Sequence, residues 1–229
     1  FRMLSSPIAT TYADLLNELW IQGGTGGDVT SGSPNVWTYS GSFSGVTDYT
    51  ANLTSGHGIL VWVYKDTDFS NDNDNNLPVT LSVSGTAVSG DVSVSSISAD
   101  AWALVGNPYE VTIDFDLLSK TNLTNVAYVY DHSTNSATSP DEEATGDGIY
   151  RVWNGSTGSL TNGLIEPFQG FWILANNSGG GSVTFQDADK STSSGTFYKT
   201  MNDSTGSMSF TITSGNYSNQ TFVSFMNNG

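Results

Sequence analysis

Apolar residues along this chain recur in short clusters and not on a helical period. Ile59 to Tyr64 (ILVWVY), Val126 to Tyr130 (VAYVY) and Phe171 to Ala175 (FWILA) are rich in β-branched and aromatic side chains and are separated by stretches of Gly, Asn, Asp and Ser. The clusters suit a pleated surface, and the separators are residues that turns select. ILVWVY and FWILA are apolar at consecutive positions, which predicts strands covered on both faces. VTLSVS from Val79 and SFTIT from Ser209 alternate, as strands with one wet face do. One segment carries a helical spacing: in YADLLNELW, Tyr12 to Trp20, the side chains of Leu15, Leu16, Leu19 and Trp20 line one face of a predicted short helix. Many short strands with turn signals between them predict an all-β fold of sandwich or jelly-roll type.

The same landmarks occur twice in the same order, which is the signature of an internal repeat. FRMLSSP from Phe1 matches WALVGNP from Trp102, and each is followed by Asp-Leu-Leu, at Asp14 to Leu16 and at Asp116 to Leu118. NVWTYSG from Asn35 corresponds to NVAYVYD from Asn125 or to the neighbouring YRVWNGS from Tyr150. SGHGILVWV from Ser55 corresponds to PFQGFWILA from Pro167, and VTLSVSG from Val79 to VTFQDAD from Val183. Two tandem β-sandwich modules follow, residues 1–100 and 101–200. Residues 201–229, with the strand-like runs SMSFTIT and TFVSFM, form a C-terminal strand segment or the start of a further domain.

Charge narrows the partners. Asp and Glu number 22 against 6 Lys and Arg, a formal net charge of -16. That field repels phosphate backbones and anionic headgroups, so neither nucleic acid nor membrane insertion is expected. No apolar run reaches the roughly 18 residues of a membrane span. The chain has no cysteine, which removes disulfides, thiolate metal sites and cysteine nucleophiles together.

The sharpest chemical candidate is the loop KDTDFSNDNDNN, which places Asp66, Asp68, Asn71, Asp72, Asn73 and Asp74 within nine residues. Calcium takes six to eight hard oxygens at flexible distances, and alternating Asp and Asn can supply them; the same residues also build solvated turns. A second acidic group, Asp141, Glu142, Glu143 and Asp147, falls in a long loop, and Asp187 and Asp189 read in the same way. Glu110 and Glu166 sit inside repeat landmarks and are expected to be structural. Only His57 and His132 exist; neither lies in a metal or catalytic pattern, and no G-x-S-x-G elbow is present. Tryptophans offer stacking platforms for sugars. Trp62, Trp102 and Trp172 lie within strand runs and are expected in the core, whereas Trp20, Trp37 and Trp153 lie nearer to loops and are the candidate carbohydrate residues.

FRMLSSP, YADLL with TGGDVTSGSPNVWTYSG, WALVGNPYEVTIDFD and YRVWNGS followed by IEPFQGFWILA together resemble a repeated module of large exported surface proteins of Bacteroidota and their relatives, of the type IX secretion cargo kind. The resemblance covers most of residues 1–200. It implies location and architecture and carries no catalytic residues. It also implies a larger parent protein, because the C-terminal sorting domain of such cargo does not occur in this sequence. The resulting expectation is a non-enzymatic structural or adhesive module, extracellular or at the cell surface, part of a fibre or surface layer. Its partners would be copies of itself or other surface proteins. The alternative is a carbohydrate-binding module that holds a polysaccharide on exposed aromatic rings.

Overall fold

Each repeat is built on the same four-stranded antiparallel sheet. The structure, a computed structural model, describes residues 1–69, 76–77, 79–131 and 148–196, and the backbone of 207–214 and 217–224. In the first repeat β1 (Arg2–Leu4), β2 (Val36–Tyr39), β3 (Phe43–Gly45) and β4 (Ile59–Val61) stand in the order β1-β4-β2-β3, and β5 (Leu81–Ser82) follows. Next come β6 (Val92–Ile97), β7 (Trp102–Gly106), β8 (Ile113–Asp114), β9 (Ser119–Thr121), β10 (Ala127–Asp131), β11 (Ile149–Trp153), β12 (Leu164–Ile165), β13 (Gly170–Leu174) and β14 (Gly181–Phe185). The main sheet of the second repeat has the order β7-β13-β10-β11, the same arrangement of first strand, last strand and middle hairpin.

The registers agree as well. Leu4 pairs with Ile59 and Met3 with Leu60 in the first sheet; Val105 pairs with Phe171 and Leu104 with Trp172 in the second. These are the positions that the repeat alignment equates. The middle strands differ from it by one residue: Trp37 pairs with Leu60 and Tyr128 with Trp172, so Trp37 matches Tyr128, where aligning Asn35 with Asn125 would give Thr38. A slip of one residue moves every side chain to the opposite face, so the pairing decides which aromatics are equivalent.

Two cores result. In the second, Val105, Phe171 and Ile173 of the main sheet face Val94, Val183 and Phe185 of the sheet β6-β14-β9, a sandwich closed by edge-on contacts of Phe171 with Phe115 and Phe185 at 6.3 and 6.4 Å. In the first, Leu4, Val36, Ile59 and Val61 pack on Leu15, Leu16 and Leu19. The helix there is one turn, α1 (Tyr12–Leu15), started by the Thr11 side chain accepting from the Asp14 amide at 3.0 Å. Turns carry the chain on from Leu16, so the expected helix to Trp20 is cut short, although its leucines are buried as expected. The second Asp-Leu-Leu forms a turn and no helix, with Leu118 buried and Leu117 56% exposed. That landmark therefore does not carry the same structure twice.

The packing units also differ from a division at residue 100. Val94 and Ile97 of β6 belong to the second core, so that core begins ahead of Trp102. The C-terminal segment is an antiparallel hairpin of β15 (Ser207–Ser214) and β16 (Tyr217–Ser224), and β15 lies parallel to β5, with Phe210 beside Leu81. It extends the first repeat.

The repeats meet by a reciprocal exchange. The Ser5 amide donates to the Phe168 carbonyl at 2.9 Å, and its repeat mate Gly106 donates to Gly56, the mate of Phe168, also at 2.9 Å. Likewise Leu4 bridges to Gln169, and its mate Val105 bridges to His57, the mate of Gln169. Such exchanged contacts are those of an isologous two-fold interface, here within one chain. Mates meet on such an axis, and a Cβ on Gly106 would collide with the Ser5 side chain. Glycine is needed beside the axis too: a Cβ on Gly58 would lie 2.7 Å from the Val105 carbonyl oxygen, and one on Gly170 3.0 Å from that of Leu4. Gly106→Ala is therefore expected to lower stability by about 1–3 kcal/mol, as overpacking does. Ser5→Gly added to it vacates the space and should recover more than half of the loss in a urea-denaturation double-mutant cycle. Strictly additive effects would show that the two residues do not compete for the same space.

Candidate functional site

Alternation along the strands sends one set of side chains into each core and the other to the outer faces, and the outer faces are aromatic. Tyr39 and Phe43 stand opposite each other on β2 and β3 with rings 5.0 Å apart, and Tyr130 and Tyr150 repeat the pair on β10 and β11 at 5.5 Å. Phe1 and Trp37 lie 6.1 Å apart, and their mates Trp102 and Tyr128 lie 5.2 Å apart. At the seam the two faces touch: Tyr39 stands edge-on to Trp172 at 4.7 Å and Phe43 at 5.9 Å, and Trp102 lies edge-on to Trp172 at 6.4 Å. Each edge-on pair contributes about 0.5–1.5 kcal/mol beyond burial. Burial raises the pKa of the Tyr150 phenol, and the neighbouring Trp172 indole opposes that shift. Phe43, Trp102 and Tyr150 remain 49%, 38% and 49% exposed, so the ridge is a surface and not a core.

Beside the ridge the repeats enclose a cleft of about 370 Å³. Its walls come from the end of β2 and its turn, from residues 53–59, from β6 with the residues that follow it, and from the start of β7. Among the described residues no Asp, Glu, Lys or Arg lines it; the polar groups are Ser and Thr hydroxyls, Tyr12, Tyr39 and His57. Its described lining includes no pair of carboxylates of the kind that glycoside hydrolysis uses.

Among the described residues, those singled out in the sequence do not gather in one place. Asn71, Asp72, Asn73 and Asp74 lie outside the described residues, as do His132 and the acidic group 141–147. Asp66 and Asp68 are described, and one Asp66 oxygen accepts from the amides of Asp68 at 3.2 Å and Phe69 at 2.7 Å, a side chain closing its own turn. Among the described residues no group of three or more metal-ligating side chains converges. Trp20 donates to Gln22 at 3.0 Å and packs on Phe69, Trp37 lies against Phe1, and Trp153 donates to the Asp116 carboxylate at 3.0 Å while packing on the second core. These three tryptophans form no common platform. Trp62, Trp102 and Trp172, expected in the core, stand partly or well exposed instead.

Three other acids do structural work. Glu166 accepts from the Thr112 hydroxyl and the Gly195 amide. Asp189, expected in a mobile loop, is 2% exposed and caps a short helical turn by accepting from the Gln186 amide at 2.7 Å; burial raises its pKa. Asp131, 1% exposed, is held by Arg151 at 2.7 Å. Sequence reasoning passed over Tyr39 and the serines of β6 because the ridge and cleft exist only where the repeats meet. No family model matches the chain, and no curated protein or solved structure matches it either. Asp66→Ala is expected to lower the melting temperature more in calcium-containing buffer than in chelator, because the loop then loses a cation ligand as well as its turn bonds. An equal loss in both buffers would leave Asp66 with the turn bonds alone.

Proposed function

We propose that this chain is a non-enzymatic structural or adhesive module of an extracellular or cell-surface protein, in which the two repeats act as one rigid spacer presenting an aromatic face. The reciprocal seam carries this reading. A linker between independent domains would leave their orientation free, whereas paired backbone bonds in both directions hold it. Phe168 adds an anchor: it belongs to the second repeat but is buried in the first core. The surroundings expected for such a spacer, outside the cell and beside copies of itself or other surface proteins, agree with the acidic, cysteine-free composition. The Bacteroidota surface-protein character and a calcium ion in the Asp66 to Asp74 loop belong to the same proposal.

Phe168 occupies the third position of the turn Glu166 to Gln169 with φ +64°, and its mate Gly56 has φ +78° in the turn Thr54 to His57. Glycine is the residue that this position favours. A phenylalanine there costs about 1–3 kcal/mol of backbone strain. Burial of its ring returns about 1.5–3 kcal/mol, so the anchor is close to neutral for stability while tying the repeats together. Scanning calorimetry of the whole chain is expected to show one cooperative transition. Phe168→Ala keeps the strain, loses the ring and should separate it into two. Two transitions in the unaltered chain would refute the single spacer, and saturable turnover of a polysaccharide, ester or peptide would refute the non-enzymatic reading.

A further inference from the structure

We infer that the cleft between the repeats is a binding site for a neutral carbohydrate, with Trp102 and Tyr39 as the apolar platforms and the β6 serines as the polar edge. This goes beyond a spacer role and identifies what the presented face holds.

The lining chemistry selects the ligand class. The chain carries a formal net charge of -16, yet among the described residues no Asp, Glu, Lys or Arg lines the cleft. An anionic ligand would meet a repelling overall field and no Lys or Arg to hold it. A cationic ligand would find no carboxylate among the described lining residues. A wholly apolar ligand would strip water from hydroxyls without replacing those hydrogen bonds, which is costly. A neutral polyhydroxylated ring meets all three conditions, because its C–H face covers aromatic rings while its hydroxyls exchange bonds with serine, threonine and histidine. A volume of about 370 Å³ suits a short oligosaccharide segment, at the lower end of the ~300–1,000 Å³ usual for small-molecule sites.

The backbone of the cleft wall is irregular at the place this role requires. β6 pairs Val94 with Val183 and Ile97 with Gly181, so Ser95 and Ser96 stand against the single residue Ser182. Such a bulge redirects side chains, and bulges concentrate at sites. Ser96 adopts φ +63° within it, a left-handed conformation that serine takes only against a strain of about 1–3 kcal/mol. Ser95, Ser96 and Ser98 are all exposed and all line the cleft. Neither packing nor pairing explains a strained serine on a wet edge; glycine would serve the backbone better. The hydroxyl is what glycine lacks. The 38% exposed Trp102 also lines the cleft and connects it to the ridge through its edge-on contacts with Trp172 and Tyr128, which offers a longer polymer further aromatic contacts.

The test is an array of neutral oligosaccharides, followed by affinity electrophoresis of the whole chain in gels containing β-glucan, xylan, mannan or the anionic polygalacturonate. At least one neutral polymer should retard the protein, and polygalacturonate should not. Ser96→Gly is the decisive variant: it relieves the backbone, so the melting temperature should hold or rise, while retardation should weaken. Trp102→Ala should lower affinity by about tenfold or more, as loss of a central aromatic does. Trp20→Ala, outside the cleft, should leave it unchanged. The inference is overturned by failure of every neutral probe to bind, by binding that Ser96→Gly and Trp102→Ala both leave intact, or by a preference for polygalacturonate. None of these outcomes bears on the single unfolding transition that tests the spacer.

Discussion

The contact of Ser5 with Gly106 constrains the rest of the architecture. Equivalent residues of the two repeats meet there, and they can meet only because one of the pair has no side chain. That approach brings β1 and β7 close enough for each to be bridged by the turn preceding the other repeat's last sheet strand, β1 by Gln169 and β7 by His57. A first strand at the edge of its sheet would otherwise present unpaired amides and carbonyls, a known route to unwanted association. Here each repeat covers that edge of the other. The arrangement is a two-fold dimer interface made within a single chain.

Exact symmetry is not kept where the two cores need different things. Gly56 and Phe168 occupy matching left-handed turn positions, yet a Cβ on Gly56 would lie 2.8 Å from Val92 of the second repeat, whereas the Phe168 ring is buried in the first core. The first core is built on a single helical turn and short strands and accepts a ring from outside. The second has Phe115, Phe171 and Phe185 of its own. Arg2 lies at the same seam, where burial depresses its guanidinium and the Tyr130 phenol opposes that shift. Divergence has thus gone into the way the repeats grip each other, while strand order and register have stayed the same.

The seam also explains why an all-β scaffold has aromatic rings on its outer faces as well as in its cores. Where the faces converge, Tyr39 and Phe43 of the first repeat lie against Trp172 of the second, and this packing leaves Trp102 and Tyr150 at a solvent boundary. Rings held edge-on by several neighbours lose little further freedom on binding a ligand, which makes them effective platforms. Among the described residues the cleft beside them has no carboxylate, lysine or arginine in a strongly acidic protein, and a β-bulge lies among its serines. Rigidity of the pair and shape of the cleft therefore have a common origin.

Period-two runs and turn residues were enough to establish an all-β chain, and the doubled order of FRMLSSP/WALVGNP and SGHGILVWV/PFQGFWILA located the repeat, because strand identity and pairing depend on local pattern. The same local pattern misjudged other elements. Asp-Leu-Leu reads alike in both halves but is helical only where Leu15 and Leu16 both find a core to fill. Trp102 and Trp172 sit in apolar runs and read as core, yet the core-facing places in their strands belong to Ala103, Val105, Phe171 and Ile173. Tyr39, Phe43 and Ser96 gave no signal of a site, since each is ordinary in its own segment. Face, exposure and neighbourhood follow from which strands pair and from how the two repeats dock, and those are long-range choices made by residues far apart in the chain. The cleft, the ridge and the exchanged bonds exist only between the repeats, so tertiary structure alone decided them.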